Sequence, residues 1–315
     1  MSLGEAFHRR NFLKGSAAAA LALAASRPTA ATGAESPAPA RPGQPNQAPS
    51  AHAPDAGAKN LVIDSHCHLS FRASPDDPGN EAEVLDAADK LGIDQLCCSV
   101  LPRRPATVEG FQAANRIMAA AARRHPTRLL GYCFVNPGWG RQALDEIRRC
   151  VEEFGFIGVK LYNEYVCNEP VVFPVVELAI ELRVPILEHA GHGHRPIPTQ
   201  PRISDGGHLA DLAKRYPEAM LICAHIGGGG DWEWTIKALR HAKSVYLDTS
   251  GSVIDDGMLD MALAVLGADR LLFGCDMSFT AGVGKMRGLA CSDQQRRQIL
   301  GGNMQQILAR RGGVR

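Results

Sequence analysis

The chain has 315 residues, 45% of them hydrophobic and 21% charged, and 34 Lys and Arg against 33 Asp and Glu give a formal net charge of +1. That balance leaves no basic excess for a nucleic-acid backbone, and no apolar run reaches the roughly 18 residues a membrane span needs. Nine cysteines without any C-x-x-C spacing indicate neither a disulfide framework nor a zinc knuckle.

Residues 1–58 are expected to lie outside the fold. Arg9-Arg10-Asn11-Phe12-Leu13-Lys14 precedes a short, weakly apolar run from Ala17 to Ala25, an order that resembles a twin-arginine export signal. The resemblance implies the twin-arginine export machinery as a partner and a bacterial protein exported already folded to the periplasm or beyond. From Ser26 to Ala58 there is no Ile, Val, Leu, Met or aromatic residue. Such a segment cannot bury enough apolar surface to offset its ordering entropy and reads as a disordered linker.

Residues 59–315 alternate short apolar runs with amphipathic stretches. Strands are expected at Leu61 to His66, Ile93 to Leu101, Leu129 to Val135, Phe156 to Leu161, Val184 to His189, Met220 to Ile226, Ser244 to Thr249 and Arg270 to Asp276. Helical spacing joins Phe111, Ala114, Met118 and Ala121, then Leu144, Ile147, Val151 and Phe154, then Met258, Ala262 and Val265. A last helix begins near Ser292, with Gln295 at capping-box spacing, and runs through Leu300, Met304 and Ile307. Eight strand-helix units predict a (β/α)8 TIM barrel, whose chemistry sits at the C-terminal ends of its strands. A doubly wound sheet would place a Gly-rich phosphate turn after the first strand, where His66-Cys67-His68-Leu69 stands instead.

A lone His-x-His pair is weak evidence, and His192-x-His194 supplies a second one in the same chain. Position strengthens the first pair: a spacing of two puts His66 and His68 on one face of an apolar strand. Lys160, His189, His225 and Asp276 close the fourth, fifth, sixth and eighth strands. Six such residues at five strand ends converge on one rim.

Ile63-Asp64-Ser65-His66-Cys67-His68, Glu188-His189-Ala190-Gly191, Ala224-His225-Ile226-Gly227 and Phe273-Gly274-Cys275-Asp276 resemble the amidohydrolase superfamily. The likeness is to the branch of aminocarboxymuconate-semialdehyde decarboxylase and related metal-dependent hydrolases, and it extends to Asn303 in the closing helix. The resemblance implies a divalent metal on His66, His68, His189 and Asp276, with His225 as the catalytic imidazole. Cys275, where a Ser often precedes the Asp, and the His192/His194 cluster depart from the family's pattern.

Three imidazoles and a carboxylate suit Zn2+ best, with Mn2+ and Fe2+ as alternatives. One ion is expected, activating a water as hydroxide, with His225 and Asp276 moving protons. Lys160 has three readings: a carboxylated bridge to a second ion, an ammonium for a substrate carboxylate, or a charge snorkelling from the rim. Arg72, Arg103, Arg104, Trp139, Tyr162 to Tyr165, His192 to Arg195, Trp232, Ser250 and Ser278 to Thr280 lie on rim loops, their cations hinting at a carboxylated small-molecule substrate. Gly227 to Gly230 reads as a close backbone approach to a ligand or as a flexible turn. The expected activity is hydrolysis of an amide, ester or lactone by metal-bound hydroxide. The alternatives are a non-oxidative decarboxylase and a degenerate metabolite-binding barrel, and homo-oligomerisation is left open.

Overall fold

The computed structural model describes residues 60–226 and 228–310. The expected export signal, with Arg9 and Arg10, and the linker to Ala58 lie outside these residues.

Eight parallel strands follow one another around a barrel in sequence order: β1 (Ile63–Leu69), β2 (Gln95–Val100), β3 (Leu129–Phe134), β4 (Gly158–Leu161), β5 (Ile186–Glu188), β6 (Leu221–Cys223), β7 (Val245–Asp248) and β8 (Leu271–Leu272). The first and last strands meet through Ser65 N–H to the Phe273 carbonyl, 2.9 Å, and Asp276 N–H to the His66 carbonyl, 2.7 Å. The strands read as continuous apolar runs because both their faces are covered, one by helices and one by the barrel interior. Ile63, Cys97, Tyr132, Leu187, Ile222 and Leu272 fill that interior.

The outer layer is α1 (Glu81–Leu91), α2 (Val108–Arg124), α3 (Arg141–Glu152), α4 (Phe173–Glu181), α5 (Gly206–Arg215), α6 (Trp232–Leu239), α7 (Met258–Leu266) and α8 (Phe279–Gly288). The periodic residues of α2 are all buried, and α3 buries Ile147 and Val151. In α7 Met258 and Ala262 face the core, whereas Val265 is exposed.

The closing segment starts at a capping box. Ser292 Oγ accepts from Gln295 N–H, and Ser292 N–H donates to Gln295 Oε1 at 3.0 Å. It is split into α9 (Asp293–Arg297) and α10 (Asn303–Ala309) by a π-helical stretch, Gln298–Gly302. A Cβ at Gly301 would fall 1.8 Å from the Leu61 carbonyl oxygen, so only glycine lets this helix pass beneath β1. Met304 and Ile307 thereby join the interior cluster.

Candidate active site

β1 carries His66 and His68 toward the same carboxylate. Asp276 Oδ1 lies 3.7 Å from His66 Nε2 and 3.2 Å from His68 Nε2. β5, β6 and β8 are shorter than the apolar runs suggested, so His189, His225 and Asp276 sit just beyond the ladder. His225 (φ 61°), Asp276 (φ 46°) and Met277 (φ 64°) all adopt the left-handed backbone that residues with a Cβ resist. Hydrogen bonds hold the two strained site residues: Asp248 Oδ1 accepts from His225 N–H at 2.9 Å, and Asp276 N–H is tied to β1 as above. Gly228 also matters here, because a Cβ on it would meet His225 Cβ at 2.6 Å. Gly228 therefore packs on His225, and Gly229 (φ +79°) on the His192 backbone.

Hydrogen-bond partners decide which ring nitrogens face inward. Asp248 Oδ2 accepts a hydrogen bond from His66 Nδ1–H at 2.9 Å, leaving the lone pair on Nε2. Gln200 Oε1 accepts from His189 Nε2 at 3.1 Å, and His189 Nδ1 then accepts from His225 Nε2 at 2.9 Å. His225 Nδ1 is thus a second lone pair, 3.4 Å from Asp276 Oδ2. Lone pairs turned on a carboxylate repel unless a cation stands among them. One donor atom each from His66, His225 and Asp276 lies within 4.8 Å of the others, which fits a divalent metal.

The structure thus brings His66 and Asp276 into one three-residue cluster and sets His68 against the same carboxylate. His189 stands one ring away behind His225, its own ring stacked on Tyr162 at 3.9 Å. Lys160 is fully buried, its Nζ 3.3 Å from His66 Nε2, so it is not a charge snorkelling to solvent. Arg72 is drawn away from the rim into a buried ion pair with Glu81. His192 and His194 are also apart from the cluster, facing Asp231 at 3.2 and 3.8 Å.

Burial and charge set the protonation states. Burial works to raise Asp276, but the His68 hydrogen bond holds it well below the usual carboxylate range. Asp248 behaves alike, with burial outweighed by His66 and the Ser250 hydroxyl, which donates to Oδ1 at 2.5 Å. Burial pushes His225 down to about 3 and lowers His189 and His68, which favours neutral imidazoles able to ligate. It also lowers Lys160.

Sequence reasoning missed Asp248, although it ends β7 on the same rim and could have been found by position. It also missed Asp64, whose Oδ1 accepts from the N–H groups of His66 and Cys275 at 3.0 Å each, and Gln200, which lies in a loop without periodicity.

The match of the amidohydrolase family model to residues 63–308 establishes that the chain belongs to that family. It is 25% identical over 304 residues to γ-resorcylate decarboxylase of Polaromonas sp., covering 75% of this chain and 92% of that protein. Its fold is similar to two solved structures. One is a dihydroxybenzoic acid decarboxylase from Polaromonas sp. JS666 with bound manganese and the inhibitor 2-nitroresorcinol, at TM-score 0.61 and 21% identity over 79% of this chain and 97% of that one. The other is 5-carboxyvanillate decarboxylase from Sphingomonas paucimobilis, at TM-score 0.62 and 18% identity over 80% and 99%.

Proposed function

We propose that the protein is a metal-dependent, non-oxidative decarboxylase of a hydroxylated aromatic acid. The sequence alone put a hydrolase first, and the relatives support its alternative instead. The observation that carries the reading is the likeness to γ-resorcylate decarboxylase across 92% of that protein's length.

The reaction balances without water. The ring carbon bearing the carboxylate gains a proton, its bond to the carboxyl carbon breaks, the electron pair returns to the ring, and CO2 leaves. His66, Asp276 and the imidazoles beside them would hold a divalent cation, which would supply Lewis-acid charge for the substrate's anionic oxygens. Lys160 offers buried N–H donors to the same oxygens. His225 and Asp276 are the groups placed to pass the proton to the ring carbon; neither holds an extra proton at neutral pH, so they relay it from solvent.

The test is product analysis with metal-loaded protein and hydroxybenzoates, 2,6-dihydroxybenzoate first. In D2O the expected product carries one deuterium at the vacated ring carbon, with one CO2 released per turnover. Hydrolysis of lactones or amides, with no CO2 from any aromatic acid, would restore the hydrolase reading.

A further inference from the structure

We infer that Lys285 is a positioning residue for the site: by holding the carbonyls of Ser250 and Gly251 it keeps the Ser250 hydroxyl on Asp248 and off the lone pair of His225 Nδ1. The inference rests on the decarboxylase reading only for the proton relay through His225.

Residues 249–257 join β7 to α7 without a helix or strand, and Gly251 turns the chain there at φ +93°. Ser250, at the head of that loop, is fully buried. Its N–H donates to Asp248 Oδ1 at 2.9 Å, and its carbonyl accepts from Lys285 Nζ at 3.1 Å. The backbone is thus pinned on both sides of the Ser250 Cα, which fixes the direction of the side chain. A second bond, from Lys285 Nζ to the Gly251 carbonyl at 2.8 Å, closes the turn.

The hydroxyl so placed has three polar neighbours and one proton to give. It donates to Asp248 Oδ1 at 2.5 Å, while its oxygen lies 3.3 Å from both His66 Nδ1 and His225 Nδ1. His66 Nδ1 carries its own proton toward Asp248 and makes no claim on the hydroxyl. His225 Nδ1 does, because it is a lone pair within hydrogen-bond reach. A hydroxyl turned onto it would occupy the nitrogen that faces Asp276 and keep it from accepting a proton.

α8 makes the hold firm. A Cβ at Gly282 would fall 2.7 Å from Cys275 Sγ, so the helix lies directly on the residue before Asp276, and Lys285 follows one turn later on the same face. One helix therefore ties the loop after β7 to the strand end that carries Asp276. The destination of the ammonium points the same way. Lys285 lines a cavity of about 330 Å³ together with Asp255, Asp256 and Asp260, yet among the described residues it pairs with none of them and spends its donors on two carbonyls. Such charge-assisted bonds are stronger than neutral ones, and the nearby charge of Asp248 favours the ammonium against its burial.

Long-range proton–nitrogen spectra of the metal-free protein with isotope-labelled histidine test this without reaction or ion, His225→Asn assigning the His225 signals. In Lys285→Met the His225 Nδ1 resonance should move upfield, as for a nitrogen that gains a hydrogen bond. Lys285→Arg should hold it near the wild-type position, and adding Ser250→Ala to Lys285→Met should bring it back. Ser250→Ala alone, in a chain whose Lys285 is intact, should leave it in place. In the manganese-loaded protein, kcat for 2,6-dihydroxybenzoate should fall about tenfold in Lys285→Met with KM unchanged, and the double variant should regain it. An unmoved resonance in Lys285→Met, a shift that persists without the hydroxyl, or a downfield move in Ser250→Ala alone would overturn the inference. The expected shifts without CO2 release from any aromatic acid would keep it and reject the decarboxylase. CO2 release with an unmoved resonance would do the reverse.

Discussion

Asp248 Oδ2 lies 2.9 Å from His66 Nδ1, and neither side chain reaches solvent. The same carboxylate's Oδ1 accepts from His225 N–H, Ser250 N–H and the Ser250 hydroxyl. One acidic residue thus sets both the tautomer of His66 and the strained backbone of His225.

Replacing Asp248 with Asn keeps the volume but turns one oxygen into a donor. The amide oxygen can retain the Oδ1 bonds, whereas the amide nitrogen now opposes His66 Nδ1–H. Metal affinity should fall about ten- to a hundredfold, the usual effect of losing a partner behind a ligating imidazole. Chelator competition on the folded variant measures it; unchanged affinity would mean that His66 is not a ligand.

The barrel was legible because most of its strands read as short apolar runs alternating with helical patterns, which survives without knowledge of neighbours. The ends of β6 and β8 were not, because His225 and Asp276 turn the chain by a left-handed backbone that residue type does not advertise. Site residues near strand ends were readable by position. Arg72 was misplaced because its partner Glu81 lies across a loop on α1, and a cation near a catalytic strand looks the same whether it faces a substrate or a buried carboxylate. Gln200 was invisible as a site residue for the same reason, since only the folded loop brings it against His189.

Glu188 should make stability depend on pH. It is buried, Ser204 Oγ donates to its Oε1 at 2.7 Å, Oε2 has no partner, and burial raises its pKa far above 4.5. The native state therefore holds a proton that the unfolded state releases once the pH exceeds 4.5, so this residue's contribution falls as the pH rises toward its native pKa. Glu188→Gln keeps an acceptor for Ser204 and removes the titration. Urea denaturation at pH 5 and pH 8 should show a smaller decline for the variant than for the wild type; equal declines would place the dependence elsewhere.

His225→Asn should lower turnover by about 10²- to 10⁴-fold, the range for loss of an acid-base group, while the metal stays bound. Asn can donate to His189 Nδ1 but cannot carry a proton between His189 and Asp276. Metal analysis decides the role. An ion lost with the imidazole would make His225 a ligand, as its place in the cluster with His66 and Asp276 also permits.

Lys160→Ala should weaken substrate binding and leave one metal per chain, while Lys160→Arg should recover part of the binding through its retained charge. The donor set does not need a carbamate, and the buried Nζ already has His66 Nε2 as a contact. Two metals in the wild type, falling to one in Lys160→Ala and recovering with added short-chain carboxylic acids, would show that Lys160 is carboxylated and bridges a pair of ions.

The cysteines bear on export. All nine are free, and eight of them are buried, among them Cys67 and Cys98 at paired positions on β1 and β2. A chain with nine thiols that folded in an oxidising compartment would expose them together to wrong pairing, whereas one folded before export carries them across already shielded. The twin-arginine reading of Arg9 and Arg10 requires that order of events. Changing both to Lys keeps the charge but removes the recognised side chains, so the folded enzyme should accumulate in the cytoplasm with its thiols reduced. Cell fractionation measures the distribution, and a double-Lys variant exported at the wild-type level would show that the arginine pair is not the signal.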